Sequence, residues 1–414
     1  MKKNNLHWQV LFAMILGCFL GYLFKTVPQN MIVDSLYQII TLCGVLFIRL
    51  LKMIMVPLIL TSIIIGVSSI KSGKKVGRLG VKTFFYYLCT SLIAIIIGLS
   101  LSNMMQPGIG ATIIENTSFD PSKIQTSAST ADILIRMIPT NPFQALASGD
   151  MLGIIFFAIF FGFVLNMIDP KKSSRLKNGI DAIFQVIMKI TQLVIKLSPI
   201  GVLGLMTKVV YSSGFDIFVN LAKYMLTIAL GLSIHLFIVL PIIILIFIKT
   251  NPLNHFRAIA SAMLTAFSTS SSNATLPVTM KCVRDNVKAS NEVTSFVLPM
   301  GATINMDGTA LYECAGVLFI SQVLGVDLSF NQQMIVVITA LLASIGAAGI
   351  PSAGLVMIFI VTSAVGLNDP QVGIIIGAML AIDRPLDMFR TMVNISSDSV
   401  GAAVIAKSEG EDLY

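Results

Sequence analysis

Six polar residues recur at helical spacing inside a segment that is otherwise apolar enough to cross a bilayer. At about 100° per residue they fall within an arc of about 100° on one helix face, and we call them the polar stripe. Ionisable side chains within membrane segments are rare and usually mark the path of a substrate or an ion. The stripe therefore predicts a binding site, with a structural ion network between packed helices as the alternative. Its members are Asp383, Asp387, Arg390, Thr391, Asn394 and Asp398.

The composition of the chain is that of a membrane protein. Of its 414 residues, 55% are hydrophobic and 12% are charged, whereas about a quarter are charged in soluble domains. A spanning helix needs about 20 apolar residues. We therefore predict an all-α polytopic membrane protein with about eight transmembrane helices, in the runs 9–24, 37–70, 84–101, 133–167, 180–206, 217–248, 294–326 and 371–406.

The net charge of +8 comes largely from short loops between apolar runs, where cations indicate membrane topology rather than nucleic-acid binding. Cations cluster in 71–82 and in 171–177, while the polar linker 104–131 carries one Lys, one Asp and one Glu. Positive loops face the cytoplasm. We expect both termini to be cytoplasmic and the protein to lie in a plasma membrane, the inner membrane of a bacterium.

Two serine- or glycine-rich reversals, 268–277 and 344–354, interrupt apolar segments after residue 250. Such reversals are tolerated at membrane depth only against protein or a water-filled cavity. Each is followed by a segment that we interpret as a full helix with polar residues: 294–326, with Asn305, Asp307, Thr309 and Glu313, and then the polar stripe. Two corresponding broken segments indicate a transporter with inverted repeats and a midplane site.

Charge complementarity suggests the substrate. Arg390 offers a planar fork for a carboxylate, Asp387 can hold an ammonium group, and Asn394 and Thr309 can supply neutral hydrogen bonds. The predicted substrate is a small zwitterion with an additional negative group.

Oxygen ligands near these residues suit a small cation, for which sodium is the natural choice. They belong to Asn305, Asp307, Asn394 and Asp398. We also expect Asn305, Thr309 and Glu313 to share one helical face within about 80°. A membrane carboxyl such as Glu313, which has no fixed partner in the sequence, can carry a proton.

At these residues the chain resembles the dicarboxylate/amino acid:cation symporter family, and within it the acidic amino acid branch. The resemblance covers nearly the whole chain. Four signature stretches match in order and spacing: 270–277, 301–312, 349–351 and 387–394.

The resemblance implies a homotrimer that works as an elevator in membrane lipid. The scaffold would comprise 1–78 and 132–212, and 106–131 would form an outer loop. The moving, substrate-carrying part would comprise 79–105 and 213–414, with re-entrant hairpins at about 252–286 and 330–366.

The resemblance also assigns residues to the substrate. Arg390 would bind the side-chain carboxylate, Asp387 the α-amino group, and Asn394 with Ser272 the α-carboxylate. The pocket would be completed by Thr309, Thr391 and the backbone near Ser270, Ile350 and Gly354.

Three sodium positions are implied in the same way, and Glu313 stands where animal relatives have a proton-carrying glutamate. The first position involves Tyr87, Thr90, Ser91, Asn305 and Asp307, the second Gly301, Asn305, Asn394 and Asp398, and the third Thr303, Ser344, Ile345 and Ala347.

We therefore expect a symporter of glutamate and aspartate, coupled to sodium and additionally to protons, with no organic cofactor and no nucleic-acid partner. An enzyme is disfavoured because His7, His235 and His255 are not placed beside a nucleophile. Two alternatives remain. One is a channel, because polar stripes and re-entrant segments also occur in channels. The other is the same fold carrying a neutral amino acid or a C4-dicarboxylate.

Arg384 departs from the family pattern. Relatives place a second arginine where this chain has Ser270 or Met388. Arg384 lies three residues before Asp387, so the two side chains can meet on one helix. It either holds Asp387 ionised or pairs with Asp383 or a hairpin carbonyl.

Overall fold

The computed structural model describes residues 6–28, 30–68, 74–111, 135, 138–215, 217–346, 353–367 and 370–414. These residues form α-helices joined by turns, and no β-strand occurs among them. The predicted all-α class is thus confirmed. In chain order the helices are α1 (Leu6–Thr26), α2 (Met31–Ser68), α3 (Lys74–Met105), α4 (Pro142–Ser148), α5 (Met151–Val164), α6 (Pro170–Lys196), α7 (Ser198–Ser213), α8 (Ile217–Ile248, with two π-helical turns), α9 (Pro252–Thr269), α10 (Ser272–Asp285), α11 (Asn291–Ile304), α12 (Asp307–Val323), α13 (Phe330–Gly346), α14 (Ala353–Ala364) and α15 (Pro370–Ser408).

Five of the described helices are long and apolar enough to cross a bilayer, namely α1, α2, α3, α6 and α8. Helix α15 is longer still, at 39 residues, but it carries the polar stripe. This inventory fits an integral membrane protein. The number of about eight spans stays a prediction.

Helices α9 and α10 pack against each other around a sharp serine turn. Ser270 ends α9 with a left-handed φ of 50°, and Ser271 caps α10 by accepting a hydrogen bond from the Ala274 N–H at 3.2 Å. A serine at an N-cap satisfies a backbone donor that the helix leaves open. The reversal therefore falls within the predicted stretch 268–277.

Helices α13 and α14 also pack against each other, around the second predicted interruption. Helix α13 ends at Gly346 and α14 begins at Ala353. Ala347 and Ile350, which we predicted as ligands, lie outside the described residues, as does most of the outer loop 106–131.

The prediction of a full helix over 294–326 is wrong, because α11 ends at Ile304 and α12 begins at Asp307. Asn305 and Met306 lie between them with non-helical φ/ψ angles of −98°/93° and −124°/61°. The Asn305 side chain donates to Ser397 and Asp398 on α15, so contacts with a neighbouring helix hold the break. We had predicted that Asn305 shares a helical face with Thr309 and Glu313. This prediction is wrong, because Asn305 lies outside α12.

The predicted single span over 180–206 is also wrong. Helix α6 ends at Lys196 and a separate helix, α7, begins at Ser198. Pro199 explains the break, since it has no N–H to donate to the carbonyl oxygen four residues earlier and its ring crowds that carbonyl, whereas the first turn of a new helix tolerates proline.

Helix α12 lies at the centre of the second half of the protein. Every residue from Asp307 to Ser321 is buried, and α12 packs against α3, α8, α13, α14 and α15. Helix α15 in turn packs against α9, α10 and α11. The break before α12 and the polar stripe of α15 are thereby brought together.

A second group of helices forms around α1, α2 and α7. Small residues allow their backbones to approach closely. A Cβ atom added to Gly21 would lie 2.6 Å from the Thr207 carbonyl oxygen, and one added to Gly44 would lie 2.8 Å from the Leu205 nitrogen.

Candidate functional site

Arg390 is the centre of a buried charge cluster on α15. Its Nη2 lies 2.9 Å from Asp383 Oδ1 and 2.9 Å from Asp387 Oδ1. All three residues are buried, with Arg390 only 1% exposed. Buried charges are stable only when paired in this way. The cluster thus includes the predicted pair Arg390 and Asp387, and it adds Asp383, which we had considered only as a partner of Arg384.

Part of the Arg390 guanidinium is left without a partner. Its Nε and Nη1 atoms form no hydrogen bond with the described residues. The group lies 3.7 Å from the centroid of the Tyr312 ring, a cation–π distance. A Cβ atom on Gly354 would come within 2.6 Å of Nη1. Gly354 therefore leaves room beside donors that can still bind an anion.

Asn394 connects α15 to the start of α12. Its Oδ1 accepts a hydrogen bond from the Gly308 N–H at 2.8 Å, and its Nδ2 donates to Thr309 Oγ1 at 3.2 Å. Thr391 instead donates to the Asp387 carbonyl oxygen within its own helix. The predicted polar residues are thus adjacent, but Thr391 is bonded to the backbone.

The two serines predicted to touch the substrate flank the turn between α9 and α10. Ser270 is 1% exposed and its hydroxyl has no partner among the described residues. Ser272 is also buried. Both α9 and α10 pack against α15, so the turn belongs to the same region of the protein.

Arg384 approaches the same cluster from a more exposed position. Its Nη1 lies 3.7 Å from Asp387 Oδ2, and about a third of its side chain is exposed. Asp383, the other partner that we considered for it, is paired with Arg390. Arg384 is thus close to Asp387, as both side chains on one helix allow, while the second hairpin tip lies outside the described residues and the choice between the two roles stays open.

The first predicted sodium position corresponds to a buried cluster between α3 and the break before α12. Ser91 donates to Asp307 Oδ1 at 2.6 Å, and Thr90 lies 3.4 Å from Asn305 Oδ1. Thr90 also bonds back to the Tyr86 and Tyr87 carbonyl oxygens. The predicted ligands are therefore adjacent, although they belong to segments about 215 residues apart in sequence.

The second predicted position shares Asn305 with the first. Asn305 Nδ2 donates to Asp398 Oδ1 at 2.9 Å, and a Cβ atom on Gly301 would lie 2.5 Å from that same oxygen. Glycine at 301 thus lets the Asp398 carboxylate reach the α11 backbone. Asn394 lies one turn earlier on α15 and bonds Gly308 rather than this group.

The third predicted position is only partly described. Ser344 and Ile345 are buried near the end of α13, whereas Thr303 is exposed and bonds back to the Met300 carbonyl oxygen. Tyr87, Ser91 and Ile345 help to line a small cavity of about 10 Å³. This cavity has room for roughly one water-sized sphere.

His235 is a site residue that the sequence analysis missed. It is fully buried in the first π-helical turn of α8, and its Nε2 lies 3.0 Å from Asp307 Oδ2. Both carboxylate oxygens of Asp307 are therefore fixed, one by Ser91 and one by His235. A single histidine inside an apolar run was the only signal of its presence.

Glu313 is buried on α12, two turns beyond the break. Neither of its carboxylate oxygens forms a hydrogen bond with a described residue. An ionised carboxylate in such a place is costly unless it is paired. A protonated carboxyl group avoids that cost.

Comparisons with known proteins identify the family. A family model described as the sodium:dicarboxylate symporter family matches residues 6–408. Excitatory amino acid transporter 3 of Homo sapiens is 34% identical, over 100% of this chain and 87% of its own length.

Two bacterial proteins are similar to a comparable extent. The proton/glutamate-aspartate symporter of Escherichia coli K12 is 32% identical, over 98% of this chain and 93% of its own. The proton/sodium-glutamate symport protein of Geobacillus stearothermophilus is 32% identical, over 99% of this chain and 96% of its own length. The chain therefore belongs to the sodium:dicarboxylate symporter family.

Proposed function

We propose that this protein is a secondary active symporter that takes up glutamate and aspartate across a plasma membrane, driven by sodium and proton gradients. The observation that carries the proposal is the buried Arg390, which is paired with Asp383 and Asp387 and has two donor atoms to spare. Two relatives of the protein are named as a proton/glutamate-aspartate symporter and a proton/sodium-glutamate symport protein.

Substrate binding would rearrange the Arg390 cluster. The side-chain carboxylate takes the free Nη1 donor, and release of Nη2 by Asp383 or Asp387 completes the two parallel N–H bonds through which Arg binds carboxylates. The α-amino group takes over the Asp387 carboxylate. Asn394, Thr309 and the serine turn at Ser270 and Ser272 hold the α-carboxylate, and Thr391, Ile350 and Gly354 complete the pocket.

Sodium ions would be bound beside the substrate rather than in contact with it. Asp307, the ligand of the first ion, directly precedes Gly308, whose N–H bonds Asn394. Ordering one group therefore orders the other, and coupling of this kind is reciprocal. The second and third ions occupy the groups around Asp398 and around Ser344.

Two packed groups of helices support an elevator mechanism. The scaffold comprises α1, α2 and α4–α7, and three copies of it form the core of a homotrimer surrounded by lipid. The moving part comprises α3 and α8–α15, with α9–α10 and α13–α14 as re-entrant hairpins in inverted repeats. We place the scaffold at residues 1–78 and 132–212, and the moving part at residues 79–105 and 213–414.

Ion pairs support a cytoplasmic position for the carboxyl end of α15. Glu409 pairs with Lys82 at 2.7 Å and with Arg78. These cations belong to the basic cluster 71–82 that we place in the cytoplasm, so the carboxyl end lies on the same side. The amino end of α1 is cytoplasmic as well, in the inner membrane of a bacterium.

Uptake by the purified protein in proteoliposomes tests the proposed function. Labelled glutamate, aspartate, serine and succinate are supplied under separate sodium and proton gradients. We expect concentrative uptake of the two acidic amino acids only. Preferential uptake of serine or succinate, or flux that never exceeds the imposed substrate gradient, would refute the proposal.

Glu313→Gln is expected to remove the proton dependence of net uptake while leaving sodium-dependent exchange intact. Glutamine keeps the size and polarity of a neutral carboxyl group but cannot release a proton. One pH unit across the membrane is worth about 1.4 kcal/mol per proton, so an imposed pH gradient should no longer increase accumulation. A Gln variant that keeps the parent's pH profile excludes Glu313 as the carrier.

Arg384→Ala is expected to weaken aspartate binding by about 1 kcal/mol, roughly fivefold, because the pair with Asp387 is partly exposed. Adding Met388→Arg should restore binding if charge near Asp387 is what matters. Calorimetric titration measures both variants. A double variant no better than the single one leaves Arg384 with a structural role only.

A further inference from the structure

Helix α6 has an exposed polar row that runs along its full length of 27 residues. Its members recur at spacings of three, four and seven residues, which places them on one face of a helix. All of them are exposed: Lys171, Arg175, Asn178, Gln185, Lys189, Gln192 and Lys196. Cations and amides directed at acyl chains along an entire helix are unfavourable. This row would therefore face water, lipid headgroups or another copy of the chain, and not acyl chains.

An exposed apolar flank adjoins the polar row on the same helix. It consists of Leu176, Ile183, Val186 and Leu193, whose exposures range from 47% to 59%. The opposite side of α6, including Ile180, Phe184 and Ile187, packs against the protein core. A helix with one charged edge and one apolar edge is typical of segments that lie in the membrane interface.

Both ends of α6 lie on the proposed cytoplasmic side. Near its start, the Lys177 ammonium group donates to the Ser68 carbonyl oxygen at the end of α2. Just beyond its end, Pro199 lines a groove together with Trp8 and Phe12 from the first turns of α1. A helix that begins and ends on one side of a bilayer does not cross it. This agrees with α6 being the least apolar of the five long apolar helices.

We infer that α6 lies in the plane of the cytoplasmic leaflet and binds the headgroups of anionic phospholipids along Lys171, Arg175, Lys189 and Lys196. None of these four cations forms an ion pair with a described residue. The one carboxylate within α6, Asp181, accepts a hydrogen bond from Gln185. Positive charge is thus available along the whole row, and anionic headgroups complement it. This inference goes beyond substrate transport and does not depend on which amino acid is carried.

Tryptophan fluorescence in reconstituted full-length protein tests the inference. The chain has a single tryptophan, Trp8, so the Trp8→Phe variant has no tryptophan fluorescence of its own. Leu176→Trp, Ile183→Trp and Leu193→Trp then report along α6, each alone, in vesicles that contain brominated phosphatidylcholine or brominated phosphatidylglycerol. We expect equal, shallow depths at the three positions, together with stronger quenching by phosphatidylglycerol.

Charge removal then tests headgroup binding. Each cation at an anionic surface contributes a factor of roughly five to binding. The fourfold change of Lys171, Arg175, Lys189 and Lys196 to Gln should therefore abolish the preference for phosphatidylglycerol. A matched control carries the same change at four exposed cations elsewhere, Lys249, Arg257, Lys281 and Lys288, and should keep the preference.

Several results would overturn the inference. Tryptophan depths that change steadily from 176 to 193 would mean that α6 crosses the bilayer. Absence of quenching by either lipid would mean that a second copy of the chain covers the flank. Equal quenching by the two lipids, or a preference that survives the fourfold change, would exclude headgroup selection. The depth measurement needs no charge change, so it decides the orientation even if the fourfold variant fails to fold.

Discussion

Arg390→Cys is expected to abolish uptake of glutamate and aspartate and to admit serine or alanine in their place. Arg390 lies at a buried position with Nε and Nη1 unpaired, and its Nη1 is the free donor that the substrate side chain would take. Leaving a buried charged group without its partner costs about 3 kcal/mol or more. The affinity for acidic substrates should therefore fall at least about a hundredfold. Competition of unlabelled amino acids against labelled aspartate and serine measures this change.

The same substitution also leaves Asp383 and Asp387 without their shared cation, so loss of folding has to be separated from loss of recognition. Arg390→Cys combined with Asp383→Asn removes one of the two buried charges and should restore thermal stability. Acidic uptake should remain absent in this double variant. Arg390→Lys keeps the positive charge but lacks the planar guanidinium group, so it should retain only part of the acidic uptake. Unchanged aspartate affinity in Arg390→Cys would refute the assignment.

Much of the candidate substrate site could be predicted from sequence because α15 is one unbroken helix. Residues three, four and seven positions apart on such a helix share a face. The pairing of Arg390 with Asp387 follows from this spacing. The hydrogen bonds of Asn394 to Gly308 and Thr309 do not, because they join α15 to α12.

The break at Asn305 and Met306 could not be predicted in the same way. The segment 294–326 is apolar on both sides of the break, and polar residues such as Asn305 and Asp307 are equally compatible with the polar face of one continuous helix. The break is held by bonds from Asn305 to α3 and α15, which are distant in sequence. The result is functionally important, since it places Asn305 beside Asp398 and directs the Gly308 N–H toward Asn394.

His235 and α6 escaped prediction for two further reasons. His235 meets Asp307 across 72 positions of sequence, and a single polar residue in an apolar run does not identify its partner. Helix α6 was merged with α7 because average hydropathy combines an apolar face with a polar row. Separating the two faces requires knowing where the helix begins and ends.

Asp307→Asn is expected to remove the ability of sodium to strengthen substrate binding. Asparagine has nearly the same shape and can still bond Ser91 and His235, so the packing around α12 should be retained. It lacks the negative charge that a sodium ion requires at this buried position. Couplings between sites are typically worth about 1 to 3 kcal/mol, and this amount should disappear. Calorimetric titration with aspartate in sodium chloride and in choline chloride measures the effect.

The matched control is Asp327→Asn, which makes the same chemical change at an exposed residue beyond the end of α12. It should leave the sodium effect unchanged. His235→Gln offers an intermediate case, because it keeps a hydrogen-bonding group beside Asp307 but alters its position, and it should weaken the sodium effect without removing it. Equal aspartate affinity in sodium and in choline for the parent protein would instead leave protons as the sole driver. Full sodium dependence in Asp307→Asn would place the coupling ion elsewhere.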